Sequence, residues 1–402
     1  MKATSMRKLK ILYHHRTASK DGQSVHIEEM LHALRQQGHE VLVIEPGVSS
    51  GVRFGEKSGF AAWVQRRMPK AIFEMLELAY NVPLYFRLRR AWRAFRPDVL
   101  YERHHLYLLA GAWLRRRVGV PYVLEVNSPL YAERSINGGL ALGPIARASE
   151  RWVWRQADAV LPVTRVLGDI LEREGVTGRR ITVIPNGIDP QRFEGYLPLD
   201  EAKRRLGLAN RLVLGFTGFV RDWNALDRVI RYLARPGNEN CFLLLVGDGP
   251  ARAALEGLAA STGVADRVRI VGIVGRDHVR DYVAAFDVAL QPAANPYASP
   301  LKLFEYLALG RAIVAPAQPN LREVLRDGTD AVLFDPDDAQ GLERGLDRLV
   351  HDAALRRELG QRAAALIRQR NYTWDGNASR VAALSDDLAR QQAGSATTTA
   401  AA

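Results

Sequence analysis

Short apolar runs alternate with longer amphipathic stretches along most of the chain, and the alternation restarts once. In the first half, LKILYHH (9–15), HEVLVIE (39–45), DVLYER (98–103), PYVLEVN (121–127), DAVLPVT (158–164) and ITVIP (181–185) have strand length. Helical patterns fill the intervals, at about 24–37, 59–95, 106–117 and 145–156, and then up to Gly175. A second series opens with RLVLGFTG (211–218) and runs through CFLLLVGDG, VRIVG, VALQP, AIVAP and AVLFD, again with helical patterns between. Strands that alternate with helices specify a mostly parallel, doubly wound sheet. The expected fold class is therefore α/β, with two doubly wound Rossmann-like domains at 1–190 and 191–375, linked through the Gly- and Pro-containing stretch 186–210. A helix over about 376–391 is expected to pack back on the first domain. The low-complexity end, 392–402, is expected to be disordered. Ligands bind such sheets at the carboxyl ends of the strands, which places the expected site in a cleft between the domains.

Composition narrows this picture. The 402 residues are 47% hydrophobic and 25% charged, as in soluble globular proteins. No run approaches 18 uninterrupted apolar residues, and MKATSMRKLKILYHH lacks a signal-peptide core, so the expected location is the cytoplasm or the inner face of the cell membrane. The single cysteine, Cys241, sits in CFLLLV and reads as a buried, inert thiol. The net charge of +12 is uneven, with 14 Lys/Arg against 5 Asp/Glu between Gly51 and Arg117. These cations interleave with Trp63, Phe73, Tyr85, Phe86, Trp92 and Phe95. That pattern suits either a solvated helix face with its aromatics in the core or contact of region 60–96 with an anionic lipid surface. No nucleic-acid module accompanies the charge, so nucleic acid is not an expected partner.

The chemistry concentrates in YASPLKLFEYLALG (297–310). Ser299 suits a helix N-cap and Pro300 the first helical position, with Gly310 closing the helix. The free N–H groups and the dipole of such a helix offer a seat for a diphosphate. Lys302 adds a point charge for a phosphate oxygen, and Glu305, one turn on, suits the diol of a ribose.

SPLKLFEYLALGRAIVA resembles the donor-binding helix of the family four retaining glycosyltransferases, which adopt the GT-B fold. DGQSVHIEEMLHALRQQGHEVLVI, ITVIPNGIDPQRF, GFTGFVRDWNALDRVI, FLLLVGDGPARAALE and EVLRDGTDAVLFDPDD match that family's order, so the likeness covers roughly residues 8 to 375. The resemblance implies a nucleotide-sugar donor, UDP- or GDP-linked, held by the second domain, and a glycan or lipid-linked acceptor held by the first. Glu305 matches the second glutamate of the family's paired-glutamate motif, the one that binds the nucleotide ribose. The first glutamate, expected to touch the transferred sugar, is replaced by Tyr297. The backbone from Ser299 through Pro300 and Leu301 to Lys302 is the expected substitute for that contact. Arg221, just after Gly218, matches the basic residue that joins Lys302 on the diphosphate, where two cations stabilise the leaving group. Gly247, in the glycine turn GDGP, is expected near the nucleobase.

In the first domain the resemblance places Gly22 against the diphosphate and Gln23 near the reaction centre. Asn127 stands where many relatives carry histidine. An amide hydrogen-bonds a sugar hydroxyl but is no base at neutral pH, which fits a retaining reaction whose leaving phosphate takes the acceptor proton. His104 and His105 end strand DVLYER and are candidate acceptor contacts, with His14 and His15 of similar standing. Asn186-Gly187-Ile188-Asp189 reads as a structural turn. Asp335-Pro336-Asp337 has a metal-like spacing but sits in a Pro-containing loop, so turn chemistry is the expectation, with no metal or other cofactor. Two other readings stay open, a sugar-nucleotide epimerase on the same plan and a degenerate, non-catalytic binding partner in polysaccharide assembly.

Overall fold

The computed structural model describes residues 7–17, 22–46 and 68–400. The chain divides into two compact units, Met1–Pro185 with Trp374–Ala402, and Asn186–Thr373. The 186–210 stretch, expected as a linker, belongs to the second unit and carries a 3₁₀ turn, Pro190–Phe193, and a helix, Leu199–Arg205.

Unit 1 holds a five-stranded parallel sheet of β1 (Lys10–His14), β2 (Glu40–Ile44), β3 (Val99–Arg103), β4 (Tyr122–Val126) and β5 (Ala159–Pro162). Its order is β2-β1-β3-β4-β5, so the chain reverses direction between β1 and β3. Helices cover both faces of a parallel sheet, and β3 and β4 are accordingly buried at every position. The register sets His14 beside Glu102 and Arg103 beside Glu125.

Three helical expectations change. The 59–95 pattern contains two helices, Lys70–Ala79 and Asn81–Phe95, while 59–67 lies outside the described residues. The 106–117 pattern becomes helical only at Ala110. Buried Asn81 explains the late start, because its Oδ1 accepts from the N–H groups of Leu109 (2.7 Å) and Ala110 (3.1 Å) and its Nδ2 donates to the Tyr107 carbonyl (2.7 Å). The last helix runs Trp374–Ala400, past the expected end at residue 391. Extending a formed helix adds a hydrogen bond for each residue fixed, and alanine is the residue that best tolerates it. This helix lies on the Gly22–Gln36 helix. Gln37 Nε2 donates to Asp375 Oδ1 (2.6 Å) and Ser379 Oγ (2.9 Å), and the His26 ring meets Trp374 edge-on at 4.9 Å.

Unit 2 holds six parallel strands, β6 (Leu212–Thr217), β7 (Cys241–Val246), β8 (Val268–Ile270), β9 (Val288–Leu290), β10 (Ala312–Pro316) and β11 (Val332–Phe334). The order β11-β10-β9-β6-β7-β8 is that of a dinucleotide-type doubly wound sheet, with its reversal between β6 and β9. Two long helices that the pattern reading passed over, Gly341–His351 and Ala353–Gln369, pack on β10. Cys241 is buried in β7, and burial pushes its thiol up to about 11.

Candidate functional site

In unit 2 the site grows from the ends of β6 and β7. Gly218 (φ +122°) follows β6 and Gly247 (φ +142°) follows β7, a region of backbone space that favours glycine. A Cβ on Gly247 would lie 2.0 Å from the Gly218 carbonyl oxygen, so the two loops touch through bare backbone. The Lys302 side chain lies over Gly218. Its Nζ sits 3.5 Å from the centroid of Phe216 and would be 3.2 Å from a Cβ on Gly218. Burial pushes the amine down to about 7, against the opposing pull of Glu305.

Glu305 accepts from the Thr217 hydroxyl at 3.3 Å. Burial raises its pKa, opposed by Thr217, Lys302 and Arg276. The neighbouring Tyr306 hydroxyl accepts from the Thr217 N–H at 2.9 Å and so fastens the helix to the end of β6. That helix spans Leu301–Ala308, and its start differs from the expectation. Pro300 is the N-cap, and Ser299 does not cap. Pro300 keeps extended backbone (φ −68°, ψ +124°), so the first helical residue is Leu301. Ser299 Oγ instead accepts from the Asn186 N–H (3.2 Å), and its carbonyl accepts from Asn186 Nδ2 (2.5 Å). Leu301 opens the helix, half-buried beside Lys302. The preceding loop is held by Asn320, whose Nδ2 donates to the carbonyls of Asn295 (3.0 Å) and Ala298 (2.7 Å). Tyr297 lies in that loop, half-buried. Arg221 is exposed, with its guanidinium 4.9 Å over the Phe219 ring.

Unit 1 presents a different set. Asn127 Nδ2 donates to Glu125 Oε1 at 2.6 Å. The same carboxylate takes the Tyr101 hydroxyl (2.8 Å) and Arg103, and His26 Nε2 lies 3.1 Å away. Burial alone would raise Glu125, but His26, Arg103 and these hydrogen bonds overrule it and hold the acid well below its usual range. Beside it, Glu102 bridges His14 Nδ1 (2.6 Å) and the Tyr122 hydroxyl (2.5 Å). His104 is engaged inside the unit, with Nε2 3.1 Å from Glu150 and its ring edge-on to Trp154 at 5.7 Å. His105 Nδ1 meets the Leu106 carbonyl at 3.0 Å. Burial first, then Arg16, pushes His105 down to about 3, so its ring is neutral. Gly22 and Gln23 are exposed on the first turn of the Gly22–Gln36 helix.

The pattern reading did not single out Glu102, Glu125, His26, Thr217, Tyr306 or Asn320. A signal existed for Glu125, a charged letter between apolar residues of a strand buried at every position, while Glu102 stands between Tyr101 and Arg103 in a strand equally buried. Among the described residues no group of three or more His, Cys, Asp or Glu could hold a metal ion. Asp335 Oδ1 accepts from the Asp337 N–H at 2.9 Å, which is turn chemistry. Asp189 likewise accepts from the Gln191 N–H at 3.0 Å.

Two doubly wound parallel sheets with a glycine-lined, cation-bearing switch point define a GT-B glycosyltransferase plan. The likeness to solved structures agrees. Anabaena Alr3699/HepE, crystallised in complex with UDP, superposes with a TM-score of 0.73 over 94% of this chain and 100% of its own, at 17% identity. Residues 20–192 match Glycosyltransferase Family 4, and residues 200–366 match Glycosyl transferases group 1. The 2-deoxystreptamine glucosyltransferase of Streptomyces kanamyceticus is 30% identical over 278 residues, 67% of this chain and 71% of that protein. The alpha-D-kanosaminyltransferase of the same organism is 25% identical over 367 residues, 85% and 92% of the two chains. The chain belongs to the family four glycosyltransferases, and it is a glycosyltransferase.

Proposed function

We propose that the enzyme moves a sugar, with retention of anomeric configuration, from a nucleoside diphosphate sugar to a glycan or lipid-linked acceptor in polysaccharide or glycoconjugate synthesis. One observation carries the reading: Lys302 and Glu305 converge with Gly218 and Gly247 at the switch point of unit 2. Bare backbone there lets a diphosphate approach closely, and the start of the Leu301–Ala308 helix adds N–H donors. Lys302 and Arg221 supply the positive charge that the leaving diphosphate needs as its bond breaks, so the reading requires no metal ion. Glu305 takes the ribose hydroxyls. The complex of Anabaena Alr3699/HepE with UDP supports a uridine donor, with guanosine as the other base to try. Asn127, its Nδ2 given to Glu125, offers Oδ1 to an acceptor hydroxyl, whose proton passes to the departing phosphate oxygen. Calorimetric titration with UDP and GDP tests this. One of them should bind, and Glu305→Ala should weaken it about ten-fold or more at unchanged melting temperature. An unaltered affinity removes Glu305 from the site.

The reading includes peripheral contact of unit 1 with an anionic membrane at the inner face of the cell envelope. The Lys70–Ala79 helix is inverted relative to a normal surface helix. Its Glu74 points inward and accepts from the Tyr107 hydroxyl (2.7 Å) and the N–H groups of Ala141 (2.9 Å) and Leu142 (2.8 Å). Its aliphatic residues Ile72, Met75 and Leu76 face out, followed by exposed Val82 and Phe86. Exposed Arg87, Arg90 and Arg93 flank them. Apolar side chains rimmed by arginines suit an anionic lipid interface. The protein should sediment with phosphatidylglycerol vesicles and much less with phosphatidylcholine vesicles. Ile72→Ser with Phe86→Ser should cut that binding several-fold, and equal sedimentation of parent and variant refutes the contact.

A further inference from the structure

At the carboxyl end of β1, two consecutive cationic or ionisable side chains carry polar atoms that the described residues leave unsatisfied. His15 is only 5% exposed, and neither of its ring nitrogens has a hydrogen-bond partner. Exposed Glu45 lies 3.5 Å from His15 Nε2. Burial lowers the His15 pKa, opposed chiefly by Glu45, so the ring is held neutral with one N–H to give. Arg16 lies with its guanidinium 4.9 Å over the Tyr80 ring, and its Nη1 is buried without a hydrogen-bond partner. The other arginines here are occupied. Arg134 pairs with Glu77 at 2.9 Å, and Arg103 pairs with Glu125. Burial lowers the Arg16 pKa, with Glu77 and Tyr80 opposing and Arg134 adding to it. His105, neutral and half-buried, is electrostatically coupled to Arg16 from the end of β3.

A guanidinium nitrogen buried without a hydrogen-bond partner is costly unless an acceptor completes it. The geometry points to an oxyanion site. We propose that Arg16 and His15 bind a phosphate or carboxylate carried by the acceptor, a specificity determinant that rests on unit 1 being the acceptor domain. Both side chains stand where β1 and β3 diverge, the switch point of this sheet. The flat guanidinium fork meets two oxygens of such a group at once, and His15 supplies a third donor.

Titration calorimetry with inorganic phosphate and with sodium acetate tests this on the parent, Arg16→Gln, His15→Phe and Lys302→Gln. Parent and Lys302→Gln should bind one of the two anions, and which one binds separates a phosphate acceptor from a carboxylate acceptor. Arg16→Gln should bind it about ten-fold more weakly or not at all, as for one lost charge-assisted hydrogen bond, and His15→Phe more weakly by a smaller factor. Absence of binding to the parent, unchanged binding in Arg16→Gln, or a loss confined to Lys302→Gln overturns the site. Should Arg16→Gln fail to fold, unchanged binding in His15→Phe overturns it as well. UDP titration of the same proteins keeps the two readings apart. A parent that binds phosphate but no nucleotide fails only the donor reading, and one that binds UDP but neither anion fails only this one.

Discussion

Where β6 and β7 end, the chain brings backbone against backbone, with Gly218 and Gly247 in contact, half-buried Lys302 over Gly218 and half-buried Glu305 on Thr217. Where β1, β3 and β4 end, it packs ionisable side chains, with His14, His15, Arg16, Glu102, Arg103, His105 and Glu125 crowded into one end of a sheet. Both places are switch points of parallel sheets, yet one is made by removing side chains and the other by pairing them. A diphosphate is the same in every nucleotide sugar and can be met by N–H groups and glycine. On the proposed reading the other sheet end meets the acceptor, which differs from enzyme to enzyme, and side-chain charge is the material that can be varied to fit it.

The largest effect that separates the two regions is expected from Glu125→Ala. It strands Arg103 and His26 in a buried setting, and losing one partner of such a network costs about 3–5 kcal/mol. Because the folded Glu125 is held below its ordinary value of 4.5, its contribution is present above that pH and lost as pH falls below it. Unit 1 of the parent should therefore lose stability on acidification, and the variant should show less of that loss. Equal thermal stability of parent and variant at pH 7 would show that the pairing is not what holds this end together.

Gly247→Ala comes next. The added carbon lands on the Gly218 carbonyl at 2.0 Å in a backbone conformation that alanine resists, a cost of about 3 kcal/mol to unit 2. Nucleotide affinity should fall with it, while phosphate binding by unit 1 persists. A variant that melts and binds UDP like the parent would mean that backbone contact is incidental.

The smallest effect concerns Lys302. Its folded pKa, about 7, is below the ordinary 10.5, so between these values the unfolded chain holds the extra proton and stability rises with pH. Lys302→Met should flatten that slope. A bound diphosphate favours the charged amine, so UDP binding at pH 8 should take up a proton, visible as a buffer-dependent enthalpy. A buffer-independent enthalpy would place the diphosphate away from Lys302.

Legibility followed the kind of interaction. The alternation of strands and helices, Lys302 and Glu305 one turn apart, and the glycine after β6 were all readable, because spacing along the chain controls them. The N-cap at Ser299 was misread, since Asn186, 113 residues away, claims its hydroxyl. The start of the Ala110–Val118 helix was misread for a similar reason, because Asn81 supplies its cap from another helix. Tyr306 carried no signal in the sequence, and only its contact with the Thr217 N–H shows that it anchors the site.

By itself, then, the sequence determined the two parallel-sheet units, the helix that carries Lys302 and Glu305, and through order of motifs the glycosyltransferase family. Local periodicity and local turn chemistry suffice for these. The tertiary structure decided which charges are spent and which are left over. Strand register puts Glu102 against His14 and Glu125 beside Arg103, while among the described residues Arg16 Nη1 is left without a hydrogen-bond partner. That sorting depends on pairs far apart in the chain and on how deeply each is buried, which no one-dimensional pattern encodes.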